Sequence, residues 1–350
     1  LNPVRRVGDQ IAEAARIHDA KMTEAAAARI AGDLVERVGL PGGRARDYPH
    51  ELSGGQRQRI MIAMALVLQP ALLIADEPTT ALDDTTQAQI LRLIKDLQRE
   101  RDTGVLFITH DFGVVAEIAD RVAVMQTGRI VEAGEAKRVL GAPEHPYTRM
   151  LISAVPSMTP RPRQLAPGAP IALATHGLSK TYRAGGMFGV GRVVQAARNV
   201  ELSMRRGETL GIVGESGSGK STVARCIVRL IAPSAGQILV DGDDIAQAPS
   251  HRLRRHRRRV QIVFQDPYRS LNPRRRVGQS IVEGPMNFGV PRQDAWQRAS
   301  DLMALVGLDP KALDRYPHQF SGGQRQRICI ARALAMQPEV LIADEAVSAL

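Results

Sequence analysis

The chain has 350 residues, 44% of them apolar and 3% aromatic, a length that suits two domains and a composition that excludes full disorder. Its longest unbroken apolar stretch, Ile60 to Leu68, is nine residues, where a bilayer span needs roughly 20, so no segment is expected to cross a membrane. The net charge is +11, and Arg252, Arg254, Arg255, Arg257, Arg258 and Arg259 carry six of that surplus. Such a run raises a nucleic-acid partner, but no aromatic side chain is interleaved to stack on bases, and a solvated helix face is the reading it favours. Anionic lipid headgroups are a further neighbour for it.

In chain order, Leu1-Asn2-Pro3-Val4-Arg5-Arg6 shows neither an initiator Met nor the apolar stretch of a secretion signal, and reads as the start of a fragment. Ala31, Leu34, Val35 and Val38 predict an amphipathic helix. After Ser53-Gly54-Gly55-Gln56, the spacing of Ile60, Ala63, Met64 and Val67 predicts a second helix, stopped by Gln69-Pro70. Leu72 to Ala75 is a continuous apolar run, read as a buried parallel strand that ends in Asp76-Glu77. From Gly141 to Pro170, prolines at 143, 146, 156, 160, 162, 167 and 170 resist helix and ladder alike and predict a tail plus linker. Thr209 to Val213 predicts a short strand, Gly214 to Gly219 a glycine-rich turn, and Val223, Cys226, Ile227 and Leu230 a helix over Ser221 to Ile231. Ala299, Leu302, Met303 and Val306 mark another amphipathic helix, and Val340 to Ala343 another buried strand ending in Asp344-Glu345. Alternating strands and helices argue for an α/β sheet with an inserted helical subdomain. Cys226 and Cys329 form no paired motif, so neither disulfides nor a metal knuckle is expected.

Gly214-Glu215-Ser216-Gly217-Ser218-Gly219-Lys220-Ser221 satisfies the phosphate-loop pattern G-x-x-x-x-G-K-[ST] in its required strand–turn–helix setting. The glycines admit phosphate oxygens to backbone amides, the following helix offers its positive end, and Lys220 neutralises β/γ charge. Ser221 suits Mg²⁺, as do the strand-end acids Asp344 and Asp76. The adjacent Glu345 and Glu77 suit the orientation or deprotonation of an attacking water.

Two stretches recur. Leu1-Asn2-Pro3 to Gly8 reappears at Leu271 to Gly278, offset by 270, and Tyr48 to Ile60 reappears at Tyr316 to Ile328, offset by 268. Two copies of one domain are present and each is incomplete, because two full periods exceed the chain. The division read from this is 1–140, the later part of copy one; 141–170, tail and linker; and 171–350, copy two, cut before its counterpart of His110.

These motifs together resemble the nucleotide-binding subunits of ABC transporters, in a form that fuses two ATPase cassettes of the P-loop NTPase fold. Ser53-Gly54-Gly55-Gln56 and Ser321-Gly322-Gly323-Gln324 resemble the family signature. The resemblance implies that Gln265 is the Q-loop glutamine, a Mg²⁺ ligand and part of the catalytic set with Glu345, Glu77 and the switch histidine His110. It makes Asp83 in Ala81-Leu82-Asp83 the D-loop aspartate, Tyr182 the aromatic that stacks on adenine, and Thr222 a further phosphate-loop contact. ATP and Mg²⁺ are the implied ligands. Cassettes of this family are expected to face each other, one copy's phosphate loop against the other's signature. The pieces of one such site are here, from Lys220, Ser221, Thr222, Gln265, Asp344 and Glu345 with Ser53 to Gln56 and Asp83. Copy one has no phosphate loop, so the chain by itself is expected to bind ATP weakly and turn it over poorly.

Glu144-His145-Pro146-Tyr147 to Pro156 resembles the C-terminal extension of oligopeptide and dipeptide importer ATPases, and Gln265 to Pro273 their extended Q-loop segment. This implies an importer of peptides or a related solute, peripheral on the cytoplasmic face of the inner membrane. Transmembrane permease subunits would be its partners, with a solute-binding protein acting indirectly and closure passed on through Gln265 and 283–316. The extension here lacks the cysteine cluster some relatives carry, so no iron–sulfur centre is expected. Ala346 stands where copy one has Pro78. A soluble twin-cassette ATPase acting on ribosomes or nucleic acid is the alternative, and the solute itself is not legible.

Overall fold

The computed structural model describes residues 1–19, 21–79, 82–101, 103–156, 159, 166, 168–183, 193–215 and 217–346. It divides into two compact units, Leu1–Arg161 and Pro162–Leu350. Among the described residues no helix is long and apolar enough to cross a membrane.

Unit 1 opens with α1 (Val7–His18) and α2 (Glu24–Arg37), the latter capped by Thr23, whose hydroxyl accepts from the Ala26 amide at 3.2 Å. Two 3-10 turns lead to α3 (Gly54–Leu66). Then come β1 (Leu72–Asp76), α4 (Asp84–Arg101), β2 (Gly104–Ile108), α5 (Phe112–Ile118) and the hairpin of β3 (Arg121–Gln126) and β4 (Arg129–Glu135). β1 and β2 pair in parallel, Asp76 opposite Ile108. The core joins Val7, Ile11, Val35, Ile60, Ile90 and Ile94, all essentially buried; each such side chain contributes about 1.5–3 kcal/mol. β1 is parallel but not buried on both faces, because Leu72 and Ile74 are 56% and 60% exposed and only the alternate Leu73 and Ala75 face the core.

The proline-rich stretch is not wholly unstructured. After α6 (Ala136–Gly141) it contains α7 (Pro146–Ala154), with Pro146 in the first turn, where a missing N–H costs nothing, and the His145 ring accepting from the Tyr147 amide at 3.2 Å. Its start is pinned to β4: the Glu132 carboxylate accepts from the Glu144 amide at 2.9 Å and the His145 amide at 3.1 Å. The Glu144 amide leads in holding Glu132 down from 4.5 to about 2. A depressed carboxylate stabilises above its unfolded pKa and loses that contribution as pH falls. The contact is therefore complete at neutral pH and lost between about pH 4.5 and about pH 2. Glu132→Gln is expected to speed amide exchange at 144 and 145 by roughly tenfold at neutral pH, as a charge-assisted pair is replaced by a neutral one; unchanged exchange would show that β4 does not hold the extension.

Unit 2 starts with two long antiparallel strands, β5 (Ile171–Arg183) and β6 (Val193–Arg205). There follow α8 (Lys220–Ile227), β7 (Ala235–Val240), β8 (Asp243–Asp244), α9 (Ser250–Arg259), β9 (Val260–Val263) and α10 (Pro267–Ser270). The helices α11 (Val277–Asn287), α12 (Arg292–Leu305) and α13 (Gly322–Leu334) precede β10 (Val340–Ala343). One sheet runs β6-β5-β7-β8, and β9 pairs with β10 in parallel. α8 packs Val223, Cys226 and Ile227 against Leu178, Ile238 and Val240, while a second cluster of Val277, Ile281, Ala299, Met303 and Ile328 holds the inserted helices together. Burial pushes the Cys329 thiol up to about 11 and Cys226 up as well, so neither is a thiolate at neutral pH. α9 matches the expected solvated arginine face only in part: Leu253 is buried and Arg252, Arg255, Arg257 and Arg258 are exposed, but Arg254 donates to the Asn287 carbonyl at 2.6 Å and Arg259 is held in ion pairs.

Three expectations change in this unit. Residues 209–213 form no ladder: a strand exists only against a neighbour, and here Ile212 and Val213 are 48% and 96% exposed. The helix after the glycine turn stops at Ile227 rather than Ile231, because Arg229 takes φ +54 and turns its guanidinium back to the Ile245 carbonyl at 2.9 Å. β10 is parallel but one-sided, its Leu341 being 41% exposed.

Candidate functional site

The glycine turn closes on the N-terminus of α8. Gly219 caps that helix at φ +99, and a Cβ there would lie 2.1 Å from the Ala196 carbonyl oxygen, so only glycine fits both the backbone and its neighbour. The Ser218 amide donates to the Glu215 carbonyl at 3.1 Å, which keeps the turn tight. Lys220 donates to the loop carbonyls of Gly214 at 2.6 Å and Glu215 at 2.9 Å, putting its ammonium at the loop's mouth. Of the expected loop residues, Gly214, Glu215, Gly217, Ser218, Gly219, Lys220, Ser221 and Thr222 are described. Ser216 lies outside the described residues, as does Ala81.

Asp344 ends β10, where its amide donates to the Val263 carbonyl at 2.9 Å. The residue is 9% exposed, and its carboxylate accepts from the Ser221 hydroxyl at 2.9 Å, across 123 positions of sequence. Beside it, the Gln265 side-chain amide donates to the Glu345 carboxylate. Lys220, Ser221, Gln265, Asp344 and Glu345 thus converge at the ends of β9, β10 and the start of α8. A hydroxyl, a carboxylate and an amide oxygen are hard donors, the set Mg²⁺ takes, and few enough to leave room for phosphate oxygens and water. Tyr182 stands apart near the end of β5, 42% exposed, with the Lys180 ammonium 5.2 Å from its ring centre.

Unit 1 repeats the strand-end arrangement. Asp76 and Glu77 end β1, the Glu77 amide donates to the Ile108 carbonyl at 2.9 Å, and the Glu77 carboxylate lies 3.2 Å from the His110 ring nitrogen. Asp83 caps α4, accepting from the Thr86 amide at 2.9 Å. Glu77 and Glu345 share a feature that spacing does not announce, left-handed backbone at φ +45 and +48. Such strain costs about 1–3 kcal/mol per residue and persists mostly at working sites.

The two signature loops have the same geometry. Ser53 caps α3 and Ser321 caps α13, each hydroxyl accepting at 3.3 Å from the amide of Gln56 or Gln324, whose side chain accepts the serine amide at 3.0 Å. This reciprocal box is worth about 1 kcal/mol per cap. Gly54, Gly55, Gly322 and Gly323 then open each helix at its positive end.

Residues that spacing did not reveal hold the strand ends in place. Arg259, at the end of α9, bonds Glu339 at 2.7 and 2.9 Å, and Arg206 joins Glu339 at 2.8 Å and Asp241 at 3.0 Å. Arg259 chiefly holds Glu339 below the usual carboxylate range. The knot fixes the entries of β9 and β10, whose far ends carry Gln265 and Asp344.

The family profile "ABC transporter" matches residues 3–80 and 197–348, and "Oligopeptide/dipeptide transporter, C-terminal region" matches 131–184. The chain is 49% identical over 379 residues to "Glutathione import ATP-binding protein GsiA" of Escherichia coli (strain K12) and of Shigella dysenteriae, and 49% over 380 residues to that of Salmonella typhimurium. All of this chain and 61% of each relative are covered, so the chain spans about three fifths of their length. Among solved structures, a dimeric bacterial ABC transporter cassette, MJ0796, is 30% identical with a TM-score of 0.47 over 51% of this chain and 75% of that one. The cbiO1 structure from Clostridium perfringens, part of the ABC transporter complex cbiONQ, is 29% identical with a TM-score of 0.41 over 50% of this chain and 65% of that one. With the profile matched over more than half of its residues, the phosphate loop, both signatures and both strand-end acid pairs included, the chain belongs to the ABC transporter family.

Proposed function

We propose that this chain carries the ATP-binding and ATP-hydrolysing machinery of an importer of peptides or a related small solute, held peripherally at the cytoplasmic face of the inner membrane. The observation that carries the reading is the bond between Ser221 and Asp344, which joins the phosphate loop to the strand-end acid at 2.9 Å. The loop amides and the Lys220 ammonium bind the β- and γ-phosphates, releasing the lysine from the Gly214 and Glu215 carbonyls. Ser221, Asp344 and the Gln265 side-chain oxygen would hold Mg²⁺, which when bound neutralises charge on those phosphates. Glu345 orients and deprotonates the attacking water, and the Gln265 amide fixes its carboxylate. Tyr182 offers its exposed ring to adenine.

Asp76, Glu77 and His110 are the corresponding metal-binding, catalytic and switch residues of the first copy. Ser53 to Gln56 and Ser321 to Gln324 each present a helix N-terminus to the γ-phosphate held by a facing cassette. Transmembrane permease subunits receive the resulting movement, and a solute-binding protein delivers cargo to them. The match of 131–184 to a peptide-transporter region favours this over action on ribosomes or nucleic acid. The relatives are named for glutathione import, which makes glutathione the first solute to try. Cells relying on this gene should take up labelled glutathione or short peptides and lose that uptake with Lys220→Ala; uptake that survives the substitution would refute the reading.

A further inference from the structure

Helix α9 carries more charge than its fold uses. Of its six arginines, two are committed. Arg254 donates to the Asn287 carbonyl at 2.6 Å, its guanidinium 5.4 Å from the Phe288 ring centre, and Arg259 bonds Glu339 at 2.7 and 2.9 Å. These two and the buried Leu253 fasten the helix to its unit. Arg252, Arg255, Arg257 and Arg258 are exposed, and among the described residues none of them forms an ion pair. The acids at the C-terminal end of the helix are already engaged: Arg206 and Arg259 take Asp241 and Glu339, and Asp243 lies 3.9 Å from Arg259.

Each residue of a helix turns it by about 100°, so positions three apart fall about 60° from one another. Arg252, Arg255 and Arg258 therefore share a stripe about 120° wide and about 9 Å long, on the side away from Leu253. Like charges at this spacing repel and weaken a helix. No side chain caps the start of α9, where Pro249 stands, and Arg252 lies toward the positive end of the helix dipole. Folding gains nothing from the stripe, which leaves an anionic surface outside the chain as its use. A nucleic acid is the poorer match, because three guanidiniums neutralise about three phosphates and even non-specific binding draws on more. No aromatic residue lies in 250–259 to stack on a base, and Arg254 already engages the Phe288 ring. A lipid surface asks only for charge, and each basic residue held near anionic headgroups tightens binding by about fivefold.

We infer that Arg252, Arg255 and Arg258 dock on anionic lipid headgroups, so that the chain meets the bilayer surface directly and not only through permease subunits. This rests on the peripheral placement proposed above. The test is co-sedimentation of the 350-residue chain, without permease, with vesicles of phosphatidylcholine alone and of phosphatidylcholine and phosphatidylglycerol in equal parts. The chain binds the anionic vesicles, binds the neutral ones far more weakly, and loses affinity as salt is raised. Arg252→Gln/Arg255→Gln/Arg258→Gln lowers affinity for the anionic vesicles by about 100-fold, and Arg255→Gln alone by about fivefold. Both variants unfold at or above the wild-type temperature, since a repulsion is removed, and bind Mg-ATP as the wild type does. Arg16→Gln/Arg92→Gln/Arg129→Gln removes the same charge from exposed positions of the other unit and costs less than about fivefold. Equal losses in the two triple variants would show that net charge alone is read and would overturn the stripe. Binding to anionic vesicles no tighter than to neutral ones overturns it too, as does tighter binding to a duplex or single-stranded oligonucleotide. Each of these outcomes leaves the nucleotide reading standing, which uptake by the Lys220→Ala variant decides separately.

Discussion

Lys220→Ala is expected to weaken binding of Mg-ATP by about 10- to 100-fold, the loss of one charge-assisted contact to phosphate at about 1.5–3 kcal/mol. The ammonium sits 2.6 and 2.9 Å from two carbonyls of its own loop, which holds it at the turn. Arginine is not a substitute: its planar fork is wider than the ammonium and cannot act as a point charge there. Titration of a fluorescent ATP analogue reads the effect, and thermal unfolding reads whether the fold survives. Because Lys220 is partly exposed and its partners are backbone atoms, little stability should be lost. An affinity unchanged by the substitution would mean that phosphate does not enter this turn.

Glu345→Gln is expected to separate binding from chemistry. General-base assistance is worth roughly 10²- to 10⁴-fold, and the amide retains shape while losing the ability to take a proton. Single-turnover hydrolysis, with the chain in excess over ATP, should fall by that factor while affinity stays within about threefold. The strained backbone at φ +48 and the bond from Gln265 both fix where this carboxylate points. A rate unaffected by the substitution would assign the base elsewhere.

Much of this site was legible because its chemistry is local. Gly214 to Ser221 is contiguous, Ser53 and Ser321 announce their helices by the glutamine three positions on, and Leu72 to Ala75 and Val340 to Ala343 predict the strands that carry the acids. What spacing could not reveal is non-local or depends on absent neighbours. Arg259 and Glu339 are 80 positions apart, and the buried Gln326 bonds the Phe264 carbonyl across 62 positions. Residues 209–213 have a strand's composition, but composition does not supply a ladder partner. The two strand-end runs are apolar throughout, yet Leu72, Ile74 and Leu341 are left exposed, since a run without alternation records the capacity to be buried and not the event. The prolines after Gly141 concealed α7 because Pro146 falls at the one turn where a helix accepts proline.

In the proposed function magnesium and phosphate meet between Ser221 and Asp344, whose side-chain oxygens sit 2.9 Å apart. The direct measurement is affinity for a fluorescent ATP analogue with Mg²⁺ and with EDTA, on the wild type, Ser221→Ala and Asp344→Asn. Magnesium should tighten binding to the wild type by about tenfold or more and have little effect on either variant. Equal affinity with and without the metal, or a full magnesium effect that persists in both variants, would contradict it.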